Sequence, residues 1–121
     1  MANRFENLDA WKVARELANL IYVLGRESGF SRDYGFKDQI QRASVSVMNN
    51  IAEGFERKSS KEFSRFLDIS KGSCGEVRSM YYSAEDLQYI SPEVAQNRRE
   101  RAKHISGEIS GLMNHLKSII T

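Results

Sequence analysis

Proline is almost missing from this chain: Pro92 is the only one in 121 residues. Proline lacks an N–H and clashes with the preceding helical turn, so its scarcity leaves room for long helices. Cysteine is as rare. A lone Cys74 rules out an intrachain disulfide and a multi-cysteine zinc site. It is compatible with a reducing cytoplasm. Long apolar runs are missing too; the longest, residues 17–24, falls far short of the roughly 20 residues that span a bilayer. The first seven residues are polar and charged, unlike a secretory signal. The expectation is a cytoplasmic protein with no membrane segment. An excess of one charge is also lacking. Eighteen basic and sixteen acidic residues leave a net +2, too mild to indicate nucleic acid by itself.

What is present is helical periodicity. Apolar content of 40% and charged content of 28% suit a globular chain, and the length suits one domain over 1–121. A first helix is expected over 8–27, with Asn7 or Asp9 as its cap. Leu8, Trp11, Ala14, Leu17, Ala18, Ile21 and Leu24 share one stripe. Gly29 is the expected stop, followed by a loop over 29–32. A second helix is expected over 33–57, with Phe36, Ile40, Ala43, Val47, Ile51 and Phe55 inward. The third starts at Ser59 or Ser60. Ser59 followed by Glu62 has capping-box spacing, and the stripe Phe63, Phe66, Leu67, Ser70, Cys74, Val77, Tyr81, Ala84 and Leu87 carries it to about 88 or 89. The fourth opens on Ser91, Pro92 and Glu93: cap, first helical position and an acid at the positive helix end. Its stripe of Val94, Arg98, Ala102, Ile105, Ile109, Leu112, Leu116 and Ile119 alternates steps of four and three.

No strand candidate emerges. Four helices with short connections predict an all-α, antiparallel up-down-up-down four-helix bundle. If the second and third helices reverse near residues 58 and 59, Ala43 and Ser44 face the patch Ser73-Cys74-Gly75. Gly72 and Gly75 each weaken a helix by about 1 kcal/mol relative to alanine. Close approach of a neighbouring backbone is the expected offset. Val13, Val45, Met48, Ile69 and Met80 are apolar off the main stripes, which suggests a subunit contact.

Reaction chemistry is hard to find. His104 and His115 lack an acid three residues earlier, and they lie roughly 16 Å apart along one helix, so no metal site is expected. Cys74 among small residues reads as a buried thiol. Gly72 and Gly75 lack the strand and lysine of a phosphate loop and read as packing. Tyr81, Tyr82 and Tyr89 could stack bases, but Tyr81 and Tyr89 read first as core or rim. Catalytic and cofactor residues are therefore expected to be none. Asn50, Glu53 and Glu56 are polar groups that need partners; the plainer reading makes them helix-register or subunit contacts and the sharper one an interaction site, and Asn50, Glu53, Ser73 and Glu76 are the expected oligomer or structural polar contacts. Cations form two groups: Arg57, Lys58, Lys61 and Arg65 at the expected hairpin, and Arg98, Arg99, Arg101 and Lys103 early in the last helix. Glu53, Glu56, Glu62, Glu93 and Glu100 dilute both. A solvated charged face is the plainer reading, and salt-sensitive phosphate contact the sharper one.

The run Asn50-Ile51-Ala52-Glu53-Gly54, then Phe63-x-x-Phe66-Leu67, then Gly72-Ser73-x-x-Glu76, resembles a known family, as do Phe5-x-x-Leu8-x-x-Trp11-x-x-Ala14 and Ile21-Tyr22. These are the bacterial four-helix-bundle proteins encoded in intervening sequences of 23S ribosomal RNA genes, once taken for a ribosomal protein. The accessory variability proteins of diversity-generating retroelements are similar. The chain departs from the pattern at Val47-Met48, where relatives often carry a proline. The resemblance implies a ring-like homopentamer, no enzyme activity and no cofactor. It suggests binding of RNA or DNA through basic surface, and a protein partner such as a reverse transcriptase. The alternative is an oligomeric protein–protein interaction scaffold with no nucleic-acid role.

Overall fold

A computed structural model describes residues 2–120; Met1 and Thr121, the ends of the expected domain span, lie outside the described residues. A 3-10 turn at Phe5–Asn7 precedes α1 (Asp9–Leu24), short α2 (Ser28–Arg32), α3 (Tyr34–Phe55), α4 (Ser60–Asp86) and α5 (Pro92–Ile120). No strand occurs among the described residues. The four long helices alternate in direction. α3 packs along α4, α4 along α5, and α1 mainly against α3, so the seam between α1 and α5 is the loosest. None of these helices is long and apolar enough to cross a membrane.

The expected stripes build the core. Leu17, Ile21, Ile40, Ile51, Leu67 and Ile109 are all fully buried, each contributing about 1.5–3 kcal/mol by leaving water. Two stripe members stray: Leu87 is 51% and Ile119 57% exposed, because each sits at a helix end where the neighbouring helix has already stopped or turned. Of the off-stripe apolar residues, Val13, Met48 and Met80 pack half-buried against the core, while Ile69 stays half exposed. The bundle therefore hides more of the surplus than its stripes alone suggest.

Caps explain where the helices start and stop. Ser59 Oγ accepts from the Glu62 amide at 3.1 Å, and Ser91 Oγ from the Val94 amide at 3.2 Å. Asp33 caps α3 by accepting from the Phe36 amide at 3.1 Å. Two expectations fail in the first third of the chain. α1 has Leu8 at its N-cap with no side-chain bond; Asp9 instead contributes its charge to the first turn. Its end comes at Gly25, not near Gly29, through a tightened last turn in which Arg26 donates to Val23 and Glu27 to Leu24. Residues expected as a loop then coil into α2 and carry Phe30 into the core. Phe30 meets Phe36 and Tyr89 edge to face, with centroids 5.4 and 6.2 Å away. Gly29 serves this cluster, since a Cβ there would stand 3.1 Å from the Tyr89 ring.

α4 closes with paired bonds from the Gln88 amide to Glu85 and from the Tyr89 amide to Ala84, both 2.9 Å. This places Gln88 in the left-handed region, φ 61°, which disfavours an L side chain by about 1 kcal/mol. Gln88→Gly is expected to raise stability by about 1 kcal/mol, read as a higher urea midpoint with an unchanged slope.

The α3–α4 register follows the hairpin reversal. Ser70 Oγ donates to the Val47 carbonyl at 2.6 Å, Ser46 and Ser73 hydroxyls meet at 2.9 Å, and Gln39 donates to Glu76 at 3.1 Å. The expected reason for the α4 glycines is wrong, however. Ser73 faces α3 and Cys74 faces α5, but a Cβ on Gly72 or Gly75 would meet nothing within 4 Å. Both point outward. Close approach occurs instead at Gly54, where a Cβ would lie 2.7 Å from Phe66 Cβ and 2.9 Å from Phe63 Cδ1.

Candidate functional site

The hairpin between α3 and α4 is an aromatic plug under a basic cover. Phe55 and Phe63 pack edge to face at 5.9 Å, and Gly54 admits Phe66 beside them. Arg57 lies over the Phe66 ring at 4.8 Å and pairs with Glu53 at 2.9 Å. Lys58, Lys61 and Arg65 are exposed and have no bonded partner among the described residues.

The second basic group is arranged differently. Arg99 pairs with Glu85 at 2.8 Å, only 15% exposed, and lies over the Tyr82 ring at 4.1 Å. Arg98 Nη1 and Arg101 Nε both donate to Asn97 Oδ1, at 2.9 and 3.3 Å. The Arg98 Nε is buried with no acceptor among the described residues. Lys103 is exposed and unpartnered among the described residues. The two groups lie in different halves of the bundle: Arg99 meets Glu85, roughly 30 Å of helical rise along α4 from Arg65, and Ala102, next to Lys103, meets Cys74, roughly 14 Å from it. They do not form one patch.

The four polar residues read as register or subunit contacts have partners within the chain. Asn50 Nδ2 donates to the Ser46 carbonyl and hydroxyl at 2.8 and 2.9 Å, and Ser46 reaches Ser73. Glu76 holds Gln39, and Glu53 holds Arg57. Asn50, Ser73 and Glu76 thus tie α3 to α4 from one side.

Groups with chemical reactivity are placed away from solvent or from each other. Cys74 Sγ donates to the Ala102 carbonyl at 3.1 Å. Burial pushes its thiol up to about 11, while the Ser106 backbone and Arg78 pull weakly the other way. A raised thiol pKa means the folded state holds its proton longer. That stability is fully present below the ordinary thiol value and is lost as pH rises through about 11. Cys74 in the native protein is expected to resist alkylation at neutral pH and to react at once in denaturant, scored by intact mass. Tyr81 is fully buried, its hydroxyl has no partner among the described residues, and burial raises it well above the ordinary phenol. His104 is exposed and 3.6 Å from Glu108. No cluster of three or more metal-ligating side chains occurs among the described residues.

Three features escaped the sequence reading. Tyr89 donates to Asp33 at 2.7 Å, holding that carboxyl below its ordinary range and tying the end of α4 to the start of α3. The Arg99–Glu85–Tyr82 cluster joins α5 to α4. A groove of about 610 Å³ runs along the α1–α5 seam past Leu8, Ala10, Gly107, Gly111 and Leu112. Only the groove left a sequence signal, the Gly107-x-x-x-Gly111 spacing opposite the buried stripe of α5.

Comparison with known proteins agrees with this architecture. A protein of unknown function from the S23 ribosomal protein family of Bacteroides thetaiotaomicron has a crystal structure that superposes with a TM-score of 0.59. The two share 23% identity, over 93% of this chain and 94% of that one. No curated protein matches the sequence. The family model described as 23S rRNA-intervening sequence protein matches residues 6–111. With the bundle, its hairpin and that match spanning most of the chain, the protein belongs to the 23S rRNA-intervening sequence protein family.

Proposed function

We propose that this chain is a non-catalytic homo-oligomer, a ring of five copies, that binds nucleic acid through its basic surface. The observation that carries the assembly is the set of outward glycines. Gly72 and Gly75 on α4, and Gly107 and Gly111 on α5, would each meet nothing within 4 Å among the described residues if given a Cβ. Each weakens its helix by about 1 kcal/mol relative to alanine, a large burden for a domain whose stability is on the order of 5–15 kcal/mol. A neighbouring backbone drawn close to these faces offsets that loss. Half-exposed Ile69 and Tyr82 flank the α4 pair, and they supply apolar area to such a contact. A ring joins two different faces of each copy, and α4 and α5 present two.

The non-catalytic reading is supported by where the reactive groups lie: Cys74 and Tyr81 are sealed in the core, and His104 is on the surface. The nucleic-acid reading is supported by Lys58, Lys61 and Arg65, cations with no partner among the described residues, and by the family's tie to ribosomal RNA sequence. Filter binding to structured RNA and to duplex DNA at two salt concentrations tests it. Binding that weakens steeply with salt is expected. A separate groove of about 320 Å³ between α1 and α5, past Val13, Leu17, Leu20 and Ile105, favours a second reading, an oligomeric protein scaffold. An intact oligomer that retains neither nucleic acid would leave that reading standing.

A further inference from the structure

We infer that the α3–α4 hairpin end is the phosphate-contacting surface, and that its ligand is duplex nucleic acid held by its backbone. This inference rests on the nucleic-acid reading above. The two basic groups look alike in sequence and differ in what their cations already do. At the start of α5, Arg99 is committed to Glu85 and Tyr82, and Arg98 and Arg101 share Asn97. Turning them toward a phosphate would break existing bonds and leave Glu85 without its partner. At the hairpin, only Arg57 is engaged. Lys58, Lys61 and Arg65 are exposed side chains with no bond to give up among the described residues. Lys61 and Arg65 stand one helical turn apart on the same outward ridge of α4, with Lys58 in the turn just before it.

Glu56 and Glu62 are exposed beside these cations and weaken a single copy. Cyclic symmetry compensates, because it sets every copy the same way up. All hairpins then lie on one side of the ring, and a polyanion long enough to touch several gains from their linkage.

The same end shows why the ligand is a duplex. Proteins that hold single strands stack bases on exposed aromatic rings. Here Phe55 and Phe63 pack on each other, Arg57 covers Phe66, and Phe5 meets Trp11 edge to face at 5.3 Å. The well-exposed rings of Tyr22, Tyr34 and Tyr82 belong to the opposite half of the bundle. A surface with free cations and no free ring responds to phosphate density, which is higher in a duplex than in a single strand.

The test is fluorescence anisotropy with a labelled duplex of arbitrary sequence and a labelled oligothymidylate of equal length. Wild type, a K58Q/K61Q/R65Q variant and an R101Q/K103Q variant are compared at low and at physiological salt. Circular dichroism and light scattering confirm that fold and mass are unchanged. The expected result is that wild type prefers the duplex, the hairpin variant loses about tenfold or more in affinity with a shallower salt slope, and the α5 variant matches wild type. Loss confined to the α5 variant overturns the inference and leaves the nucleic-acid reading intact. So does preference for the single strand. Wild type that binds neither probe at low salt defeats the nucleic-acid reading, and the inference with it.

Discussion

Gly54→Ala destabilises the protein by about 1–2 kcal/mol, and the loss is felt at the hairpin first. The added methyl would stand 2.7 Å from Phe66 Cβ, 2.9 Å from Phe63 Cδ1 and 3.3 Å from the Phe63 carbonyl. Phe66 Cβ is not the far end of a flexible side chain, so α4 itself must retreat. Retreat opens the Phe55–Phe63 contact and strains the Ser59 cap that starts α4. Overpacking of this kind typically costs about 1–3 kcal/mol, and it outweighs alanine's helix advantage of about 1 kcal/mol. A fall in melting temperature on the order of 5 °C is expected. Unchanged or higher stability would mean that the hairpin is looser than its geometry indicates.

Gly72→Leu/Gly75→Leu and, separately, Gly107→Leu/Gly111→Leu have the opposite logic. Leucine is a good helix former, and around these four positions the chain offers open space. Within one copy the substitutions strengthen the helices. Between copies they add bulk where two backbones are proposed to approach, and helix axes held 8–10 Å apart by ordinary side chains cannot come closer. Each double variant is expected to keep its circular dichroism and to lose its assembled mass, falling to the 13.8 kDa of one chain. A variant that gains stability and keeps wild-type mass would show that its face is solvent and nothing more.

Glycine also shows how far the sequence could be read. Local signals were legible: Ser59 and Ser91 cap as their spacing indicates, because a cap involves residues only a turn away. So were the long stripes, since burial of Ile40, Val47 and Ile51 follows from helical period alone. Gly29 was misread as a helix stop because its true neighbour, Tyr89, lies sixty positions along the chain. Gly72 and Gly75 were misread as inward because they flank Ser73 and Cys74, which do point inward. Spacing places a residue on a helix, but the rotation of that helix against its neighbours decides what the residue meets. The candidate site obeys the same limit. Arg57, Lys58, Lys61 and Arg65 could be counted in sequence as easily as Arg98, Arg99, Arg101 and Lys103. The pairing of Arg99 with Glu85, made between helices, could not be seen there.

Sedimentation equilibrium of the untagged wild-type chain tests the proposed assembly most directly. The expected result is a single species with five times the mass of one chain, persisting on dilution into the low micromolar range. A species of 13.8 kDa at every concentration would contradict it, and the four outward glycines would then need another cause.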